Sequence, residues 1–332
     1  MANITAADVM KLRKMTSAGM MDCKNALIEA DGDFQKAVDI IREKGKLVAA
    51  KRADRETSEG AVESRIDGGK GILVALGCET DFVARTEGFQ SLVQSIADVA
   101  IKEFPADADA LKACKMANGE TVEKEIEVFT GKTGEKLSLV YYGRVEAPFI
   151  YTYLHKLTGK LGALVGFNKE VPEDLAKGIA MQVASMNPIG IYPEDCSQEI
   201  LDREYKVAVE KTKEELVQKA IDAALNKAGI NPSHVDSEAH IDSNTAKGWI
   251  TPEQAEQART IIKTVGEEKA ASLPAPMVEN IAKGRVQKFL KESTLTEQEY
   301  QMAGDKTIVK DAIAKVDKEA KVVDFKRISL SD

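Results

Sequence analysis

Two short apolar stretches, each bracketed by glycines, constrain the fold of this chain more than any other feature. Residues 69–77 read GKGILVALG and residues 159–167 read GKLGALVGF. After each stretch, apolar residues recur at the three-and-four spacing of an amphipathic helix that packs on a core. A short apolar run before such a helix is typical of a buried strand. We therefore predict an α+β protein in which one strand-and-helix scaffold occurs twice.

The junction between strand and helix differs between the two copies. Residues 78–83 read CETDFV, and Thr80 is a good helix N-cap that would place Asp81 and Phe82 in the first helical turn. Residues 168–174 of the second copy read NKEVPED instead. A phenylalanine beside a strand end is most often part of the core. A corner that only one copy has favours a functional side chain, and both interpretations of Phe82 stand at this point.

The apolar spacing within the first 45 residues predicts three short helices. Thr5 and Asp8 have the spacing of a capping box at the first helix, and Gly45 is placed to end the third. Met20 and Met21 are adjacent, so they cannot both face one core, and flexible thioether side chains suit partner surfaces. The alternative is that both are ordinary core or surface residues.

These motifs together resemble the elongation factor Ts family, the nucleotide-exchange factors of elongation factor Tu. A strand, the sequence TDFV and a helix follow one another as in that family. The opening motif of the family is similar to Leu12-Arg13, Thr16, Ala18–Lys24 and Ala26-Leu27, at the same distance from TDFV. Two motifs in register are a more specific signal than either alone, and the resemblance covers roughly three quarters of the chain.

The resemblance implies an α+β fold made of several modules. They are an N-terminal, ubiquitin-associated-like three-helix bundle, two related core halves with small antiparallel sheets, an inserted antiparallel helical arm and a small C-terminal module. The predicted bounds are 1–55 for the bundle and linker, 56–150 for the first core half, 151–205 and 276–303 for the second half, 206–275 for the arm and 304–332 for the last module. The resemblance is weakest in the arm, which is longer than the common version, and residues 293–302 are expected to form a strand.

The resemblance also implies a role for each residue of the corner. Phe82 would insert into the GTPase domain of elongation factor Tu near its Mg²⁺ site, and Asp81 would contact an adjacent helix. Val83 would pack beneath the corner and Thr80 would hold it. The partner would be elongation factor Tu in its GDP-bound and nucleotide-free forms.

Two further contacts with the partner are implied outside the corner. The N-terminal bundle would grip the GTPase through Met20 and Met21, and Arg13, which should point outward beside Leu12, would pair with a carboxylate. His155 matches a family position in a loop that contacts the partner, although a solvated loop histidine is the alternative. The narrow apolar stripes of the arm leave open dimer contacts, partner contacts or neither.

Composition narrows the classes of partner. The net charge is −8 and the sequence pI is about 5.3, so the chain lacks the basic footprint of a protein that binds nucleic acid directly. No apolar run approaches the roughly 18 residues that a membrane span needs. The first residues do not form a signal peptide, and the four cysteines lie far apart, as expected of reduced thiols. A soluble, cytoplasmic protein without a membrane contact is expected.

No pattern indicates covalent chemistry. Gly131-Lys132-Thr133 lacks the earlier glycine of a phosphate-binding loop and is expected to lie in an ordinary turn, over residues 131–134. The three histidines lie apart from the cysteines, so neither a metal site, a cofactor site nor a catalytic pair is indicated. We expect an exchange factor rather than an enzyme. The main alternative is a scaffold or adaptor protein in which Phe82 is a core residue.

Overall fold

The computed structural model describes residues 4–16, 18–52 and 54–331. By contact density the chain divides into two compact units, one formed by Met1–Ile191 with Gln298–Asp332 and the other by Tyr192–Glu297. The second unit is wider than the arm predicted over residues 206–275. The finer division into modules stays a prediction.

The described residues form thirteen α-helices and two three-stranded antiparallel sheets, as an α+β protein should. The helices are α1 (Ala6–Thr16), α2 (Met20–Glu29), α3 (Phe34–Lys51), α4 (Asp81–Ala84), α5 (Glu87–Glu103), α6 (Ala108–Ala113), α7 (Val122–Thr133), α8 (Glu173–Met186), α9 (Gln198–Lys227), α10 (Glu238–Ala246), α11 (Pro252–Ser272), α12 (Ala275–Ser293) and α13 (Val309–Val316). The strands are β1 (Glu59–Asp67), β2 (Lys70–Cys78), β3 (Ser138–Glu146), β4 (Phe149–Leu154), β5 (Leu161–Phe167) and β6 (Val322–Ser329).

Helices α1 to α3 pack around a small core of their own that includes Leu12, Cys23 and Leu27. The predicted capping box is present, since the Thr5 backbone N–H donates to the Asp8 carboxylate (3.0 Å) and the Asp8 N–H donates to the Thr5 hydroxyl (3.3 Å). The prediction of three helices is therefore confirmed.

Helix α3 does not end at Gly45, as the sequence analysis expected, but continues to Lys51. The glycine serves a close helix crossing instead. A Cβ atom on Gly45 would lie 2.4 Å from the carbonyl oxygen of Glu127, and one on Gly131 would lie 3.0 Å from the Gly45 Cα. Gly131 is likewise inside α7, not in the predicted turn, and α7 ends only at Gly134, whose φ is 72°. Two glycines thus let α3 and α7 approach closely, which joins the bundle to the first core half.

The first sheet has the strand order β1-β2-β3, and β1 and β2 form an antiparallel hairpin. Strand β2 is buried along nearly its whole length because both of its faces are covered. Ile72 and Val74 belong to the core beneath α5, together with Phe89. Leu73, on the opposite face, belongs to a second core that it shares with Leu164 of β5. An unbroken apolar run, rather than an alternating one, is what such a strand requires.

The second sheet has the order β4-β5-β6, and its third strand is the end of the chain. Phe167 is paired with Val322, and Leu161 with Ser329. The strand predicted over residues 293–302 is wrong. The chain there forms a 3₁₀ turn (Leu295–Glu297) between two isolated bridge residues, Thr294 and Glu299, and Glu299 pairs with Ile308.

The second unit consists of α9 to α12 and the short segments between them. The predicted arm contains most of the long helix α9 and all of α11, and α11 begins at a capping box in which Thr251 and Gln254 bond reciprocally. The sequence analysis did not predict α10. The core of this unit is made of apolar residues of α9, α10, α11 and their connections: Ile221, Leu225, Ile230, Val235, Ile241, Ile250, Ala255 and Ala258. Among the described helices of the whole chain, none is both long and apolar enough to cross a bilayer.

Candidate functional site

The corner after β2 presents a phenylalanine to solvent. The Thr80 hydroxyl accepts a hydrogen bond from the Val83 backbone N–H (3.4 Å), so Thr80 caps the one-turn helix α4 as expected. The side chain of Phe82 stands on this turn and is 82% exposed. The interpretation of Phe82 as a core residue is therefore wrong. An aromatic ring this exposed has no role in the packing of its own fold.

A second cap, which the sequence analysis missed, separates α4 from α5. Thr86 accepts a hydrogen bond from the Phe89 backbone N–H (3.3 Å) and donates one to the Val83 carbonyl (2.8 Å). The chain therefore bends between Arg85 and Glu87 instead of continuing as one helix. Its signal was available, because a threonine just before a helical apolar pattern is a preferred N-cap. The bend lets Phe89 enter the core while Phe82 points away from it.

The other two corner residues differ in their surroundings. Val83 is half-buried and packs against the core of the first half, beneath the corner. Asp81 lies 3.1 Å from Arg85 of the same helical turn, but the two side chains are 45% and 81% exposed. An ion pair this exposed contributes little to stability. Asp81 is therefore accessible to a cation of another molecule.

Two carboxylates link the corner to the segment that follows α7, Glu135 from that segment and Glu79 from the corner itself. Glu135 accepts hydrogen bonds from the Thr80 backbone N–H (3.1 Å) and hydroxyl (2.6 Å). Glu79 accepts a hydrogen bond from the Lys136 backbone N–H (2.7 Å). Both oxygens of the Glu79 carboxylate also accept from the Arg52 guanidinium (2.8 and 2.7 Å). Sequence reasoning missed these contacts, since 27 to 57 residues separate the partners.

The bracing of Glu79 depends on its charge. The hydrogen bond from the Lys136 N–H, with the nearby Arg52 guanidinium, holds the pKa of the Glu79 carboxyl below its usual range. A depressed pKa means that this group stabilises the folded state at neutral pH. That contribution is lost as the pH falls through the lowered pKa. At physiological pH the brace is therefore fully formed.

Cys78 offers a chemical probe of the corner. Burial, with the nearby Glu135 carboxylate, raises the pKa of the Cys78 thiol to about 12, and the thiol donates a hydrogen bond to the Thr80 carbonyl (3.2 Å). Because only a thiolate alkylates rapidly, we expect Cys78 to resist iodoacetamide at pH 8 in the native protein and to react in guanidinium chloride. Mass spectrometry of the peptide that contains Cys78 measures both. Rapid labelling of the native protein would show that the corner opens readily.

The residues predicted to grip the partner are accessible on the N-terminal bundle. Arg13 is exposed on α1, and the neighbouring Leu12 is fully buried, as the sequence analysis expected. Met20 and Met21, at the start of α2, are 53% and 65% exposed. Neither methionine is a core residue. These side chains and Phe82 belong to separate elements of the same compact unit.

His155 lies at the end of β4, where the chain turns toward β5. The ring is half-buried, and its Nδ1 lies 2.9 Å from the Tyr153 hydroxyl. Leu157, at the tip of the same turn, is 89% exposed, and sequence reasoning did not single it out. The Gly159 carbonyl accepts from the Val62 N–H of β1 (2.8 Å), which ties the turn to the first sheet.

The turn and the corner lie at the same end of the sheets. The β1 residue Glu59 pairs through its backbone with Cys78 and through its carboxylate with Lys160. Glu59 thus contacts both the strand that leads into the corner and the residue that follows the turn. Glu59 therefore links the end of the strand before Phe82 with the residue after the turn that holds Leu157. Phe82 and Leu157 are the two most exposed large apolar side chains of the described residues.

Comparison with known proteins gives this geometry a context. The family model described as Elongation factor TS matches residues 79–332, from the corner to the end of the chain. The chain belongs to the elongation factor Ts family. The match begins at Glu79, so Glu79, Glu135 and the exposed Phe82 all lie within the matched residues.

Curated members of the elongation factor Ts family match the rest of the chain as well. Elongation factor Ts of Bacteroides thetaiotaomicron is 52% identical over 327 residues, and that of Bacteroides fragilis is 53% identical, with 98% of each chain covered in both cases. Elongation factor Ts of Porphyromonas gingivalis is 35% identical over 328 residues, which cover 99% of this chain and 98% of the relative. The N-terminal bundle is thus shared with these elongation factors of protein biosynthesis.

Proposed function

We propose that this chain is a guanine-nucleotide exchange factor that binds elongation factor Tu in its GDP form and promotes release of GDP during the elongation step of protein synthesis. Membership of the elongation factor Ts family supports this role. The observation that carries the mechanism is the exposed ring of Phe82 on a braced one-turn helix. A cytoplasmic location follows from the proposed partner.

The proposed mechanism acts on the metal of the partner. Phe82 inserts near the Mg²⁺ site of the GTPase domain, and Asp81 contacts an adjacent helix. Mg²⁺ bridges phosphate oxygens and requires nearly ideal octahedral ligation, so a small shift of the backbone around it weakens GDP retention sharply. The chain needs no catalytic residue of its own for this, since no covalent bond is made or broken.

Exchange also sets a thermodynamic requirement. The chain must bind nucleotide-free elongation factor Tu more tightly than the GDP-bound form, and GDP must weaken the binding of the chain by the same factor. Any residue that contacts only the nucleotide-free form therefore drives GDP release. A residue that contacts both forms equally contributes affinity alone.

The decisive experiment follows GDP directly. Elongation factor Tu is loaded with a fluorescent GDP analogue and mixed with the chain and excess unlabelled GDP at several free Mg²⁺ concentrations. We expect strong acceleration of release at millimolar Mg²⁺ and a smaller one when a chelator has already removed the metal. No acceleration at any Mg²⁺ concentration would exclude the proposed function.

We further propose that the bundle supplies affinity through Arg13, Met20 and Met21, and that His155 contacts the partner at a second place. Deletion of the bundle cannot test this cleanly, because α3 packs on α7 and Arg52 braces Glu79. Point variants on α1 and α2 avoid both contacts.

The double variant Arg13→Ala, Met21→Ala is expected to raise the concentration of the chain needed for half-maximal exchange by about tenfold, since charged and apolar anchors dominate interfaces. The maximal rate should not change. A titration of the release rate against chain concentration measures both values, with Lys14→Ala on the same helix as the control. If the double variant titrates like the control, the bundle does not provide the affinity.

A further inference from the structure

Side chains continue the pairing of β2 and β3 beyond the end of the strands. The last backbone pair of this ladder is Gly77 with Ser138. In the same register, residue 79 lies opposite residue 136 and residue 80 opposite residue 135. At these two positions carboxylates take over the role of backbone carbonyls. Glu79 accepts from the Lys136 N–H and Glu135 accepts from the Thr80 N–H.

Glu135 binds the residue that caps α4, whereas Glu79 binds Lys136 and Arg52. Glu135 binds both the N–H and the hydroxyl of Thr80, and the same hydroxyl caps α4 by accepting from the Val83 N–H. The Thr80 hydroxyl donates its hydrogen bond to the Glu135 carboxylate, so a lone pair of the hydroxyl oxygen is directed toward the helix. Glu135 thereby sets the orientation of the helical turn that presents Phe82.

The position of Glu135 is itself fixed by the end of α7. Gly134 adopts a left-handed conformation with φ of 72°, which ends the helix and reverses the chain direction. The Glu135 N–H donates to the Thr133 hydroxyl (3.3 Å) in the same turn. Glu135 thus directly follows the capped end of α7, and its backbone is held by that end rather than by a free loop.

We propose that Glu135 is a positioning residue for nucleotide exchange, which acts through Thr80 to hold Phe82 in the orientation that enters the partner. This inference rests on the proposed function and extends it to a residue outside the TDFV corner. A loosely held turn loses conformational freedom when its phenylalanine binds, whereas a turn whose backbone is already held loses less. Glu135 therefore affects the rate of GDP release more than the affinity for elongation factor Tu.

The variant Glu135→Gln keeps the size of the side chain but replaces one carboxylate oxygen by an NH₂ group. That group is a donor, and it would face the N–H or the hydroxyl of Thr80, which are donors as well. We expect the maximal rate of GDP release to fall roughly fivefold, the equivalent of one lost hydrogen bond. The concentration for half-maximal exchange should stay within about twofold. Glu123→Gln, an exposed carboxylate at the start of α7, is the control and should match the unmodified chain in both values.

A purely structural role of Glu135 would give different rates of GDP release in a chain that lacks the Phe82 ring. If the carboxylate acts through Phe82, then Glu135→Gln should slow release no further in the Phe82→Ala background. A further fivefold loss in that background would overturn the proposal. So would an unchanged maximal rate of Glu135→Gln in the chain that retains Phe82.

A second measurement tests the brace without elongation factor Tu. In the isolated chain, Glu135→Gln should speed hydrogen exchange of the Val83 backbone N–H, because that N–H donates to the Thr80 hydroxyl that Glu135 orients. Glu123→Gln should leave the exchange rate unchanged. If the unmodified chain fails to release GDP while Glu135→Gln still speeds exchange at Val83, the proposed function is wrong but the brace is real. If the Val83 N–H stays equally protected in Glu135→Gln, the positioning role is wrong.

Discussion

Replacement of Phe82 by alanine is expected to slow GDP release from elongation factor Tu by about ten- to a hundredfold, while the complex still forms. Burial of a large apolar side chain is worth about 1.5–3 kcal/mol, which corresponds to that range of rates if the ring is buried only as GDP leaves. The ring packs against no core of its own, so the variant should fold as stably as the unmodified chain. Stopped-flow release of fluorescent GDP at saturating chain concentration measures the effect.

The control for Phe82→Ala is another exposed aromatic residue. Trp249 is 61% exposed in the connection before α11, in the second unit. Trp249→Ala removes a comparable ring and should leave the maximal rate of release unchanged. If Phe82→Ala and Trp249→Ala both release GDP at the unmodified rate, Phe82 is not the group that disturbs the nucleotide site.

The corner could be predicted from the sequence because its chemistry is local. Thr80 lies three residues before Val83, whose N–H it caps, and nothing distant is needed to start the helical turn. The absence of the motif from the second copy favoured a functional Phe82 but left the core interpretation open, and the resemblance to the elongation factor Ts family decided between the two. The same local logic applies to Thr86, which was missed only because the apolar stripe after it was assigned to one longer helix.

The braces beneath the corner could not be predicted in this way. Glu135 and Thr80 lie 55 residues apart, and their contact depends on where α7 ends and on the register of β2 with β3. Neither is encoded by a pattern within one segment. The pairing of β6 with β5 also depends on distant residues, since Leu161 and its partner Ser329 lie far apart in the sequence.

Two glycines inside helices misled the sequence analysis, which ended α3 at Gly45 and placed Gly131 in a turn. A glycine lowers helix propensity by up to about 1 kcal/mol, so a helix end is the usual explanation. At Gly45 and Gly131 the cost is accepted because α3 and α7 lie too close for any side chain. The distance between two helices is a property of the fold, which single-segment patterns do not contain.

This close crossing leads to the second large effect. Gly45→Ala is expected to destabilise the protein by about 1–3 kcal/mol, the usual cost of overpacking, although alanine is the better helix former. The new Cβ would lie 2.4 Å from the Glu127 carbonyl oxygen, and a backbone atom of a packed helix cannot move aside as a flexible side chain can. Urea unfolding followed by circular dichroism measures the loss as a lower midpoint.

Gly284 provides the matched control, because it is also a glycine within a helix but no atom lies within 4 Å of the Cβ position there. Gly284→Ala should therefore stabilise its helix by about 0.5–1 kcal/mol. The same substitution is thus expected to have opposite signs at the two positions, since helix propensity is common to both and only the space for a methyl group differs. An increase in stability at Gly45 as well would mean that α3 and α7 separate without cost, and the bundle would then not be fixed to the core half that carries Phe82.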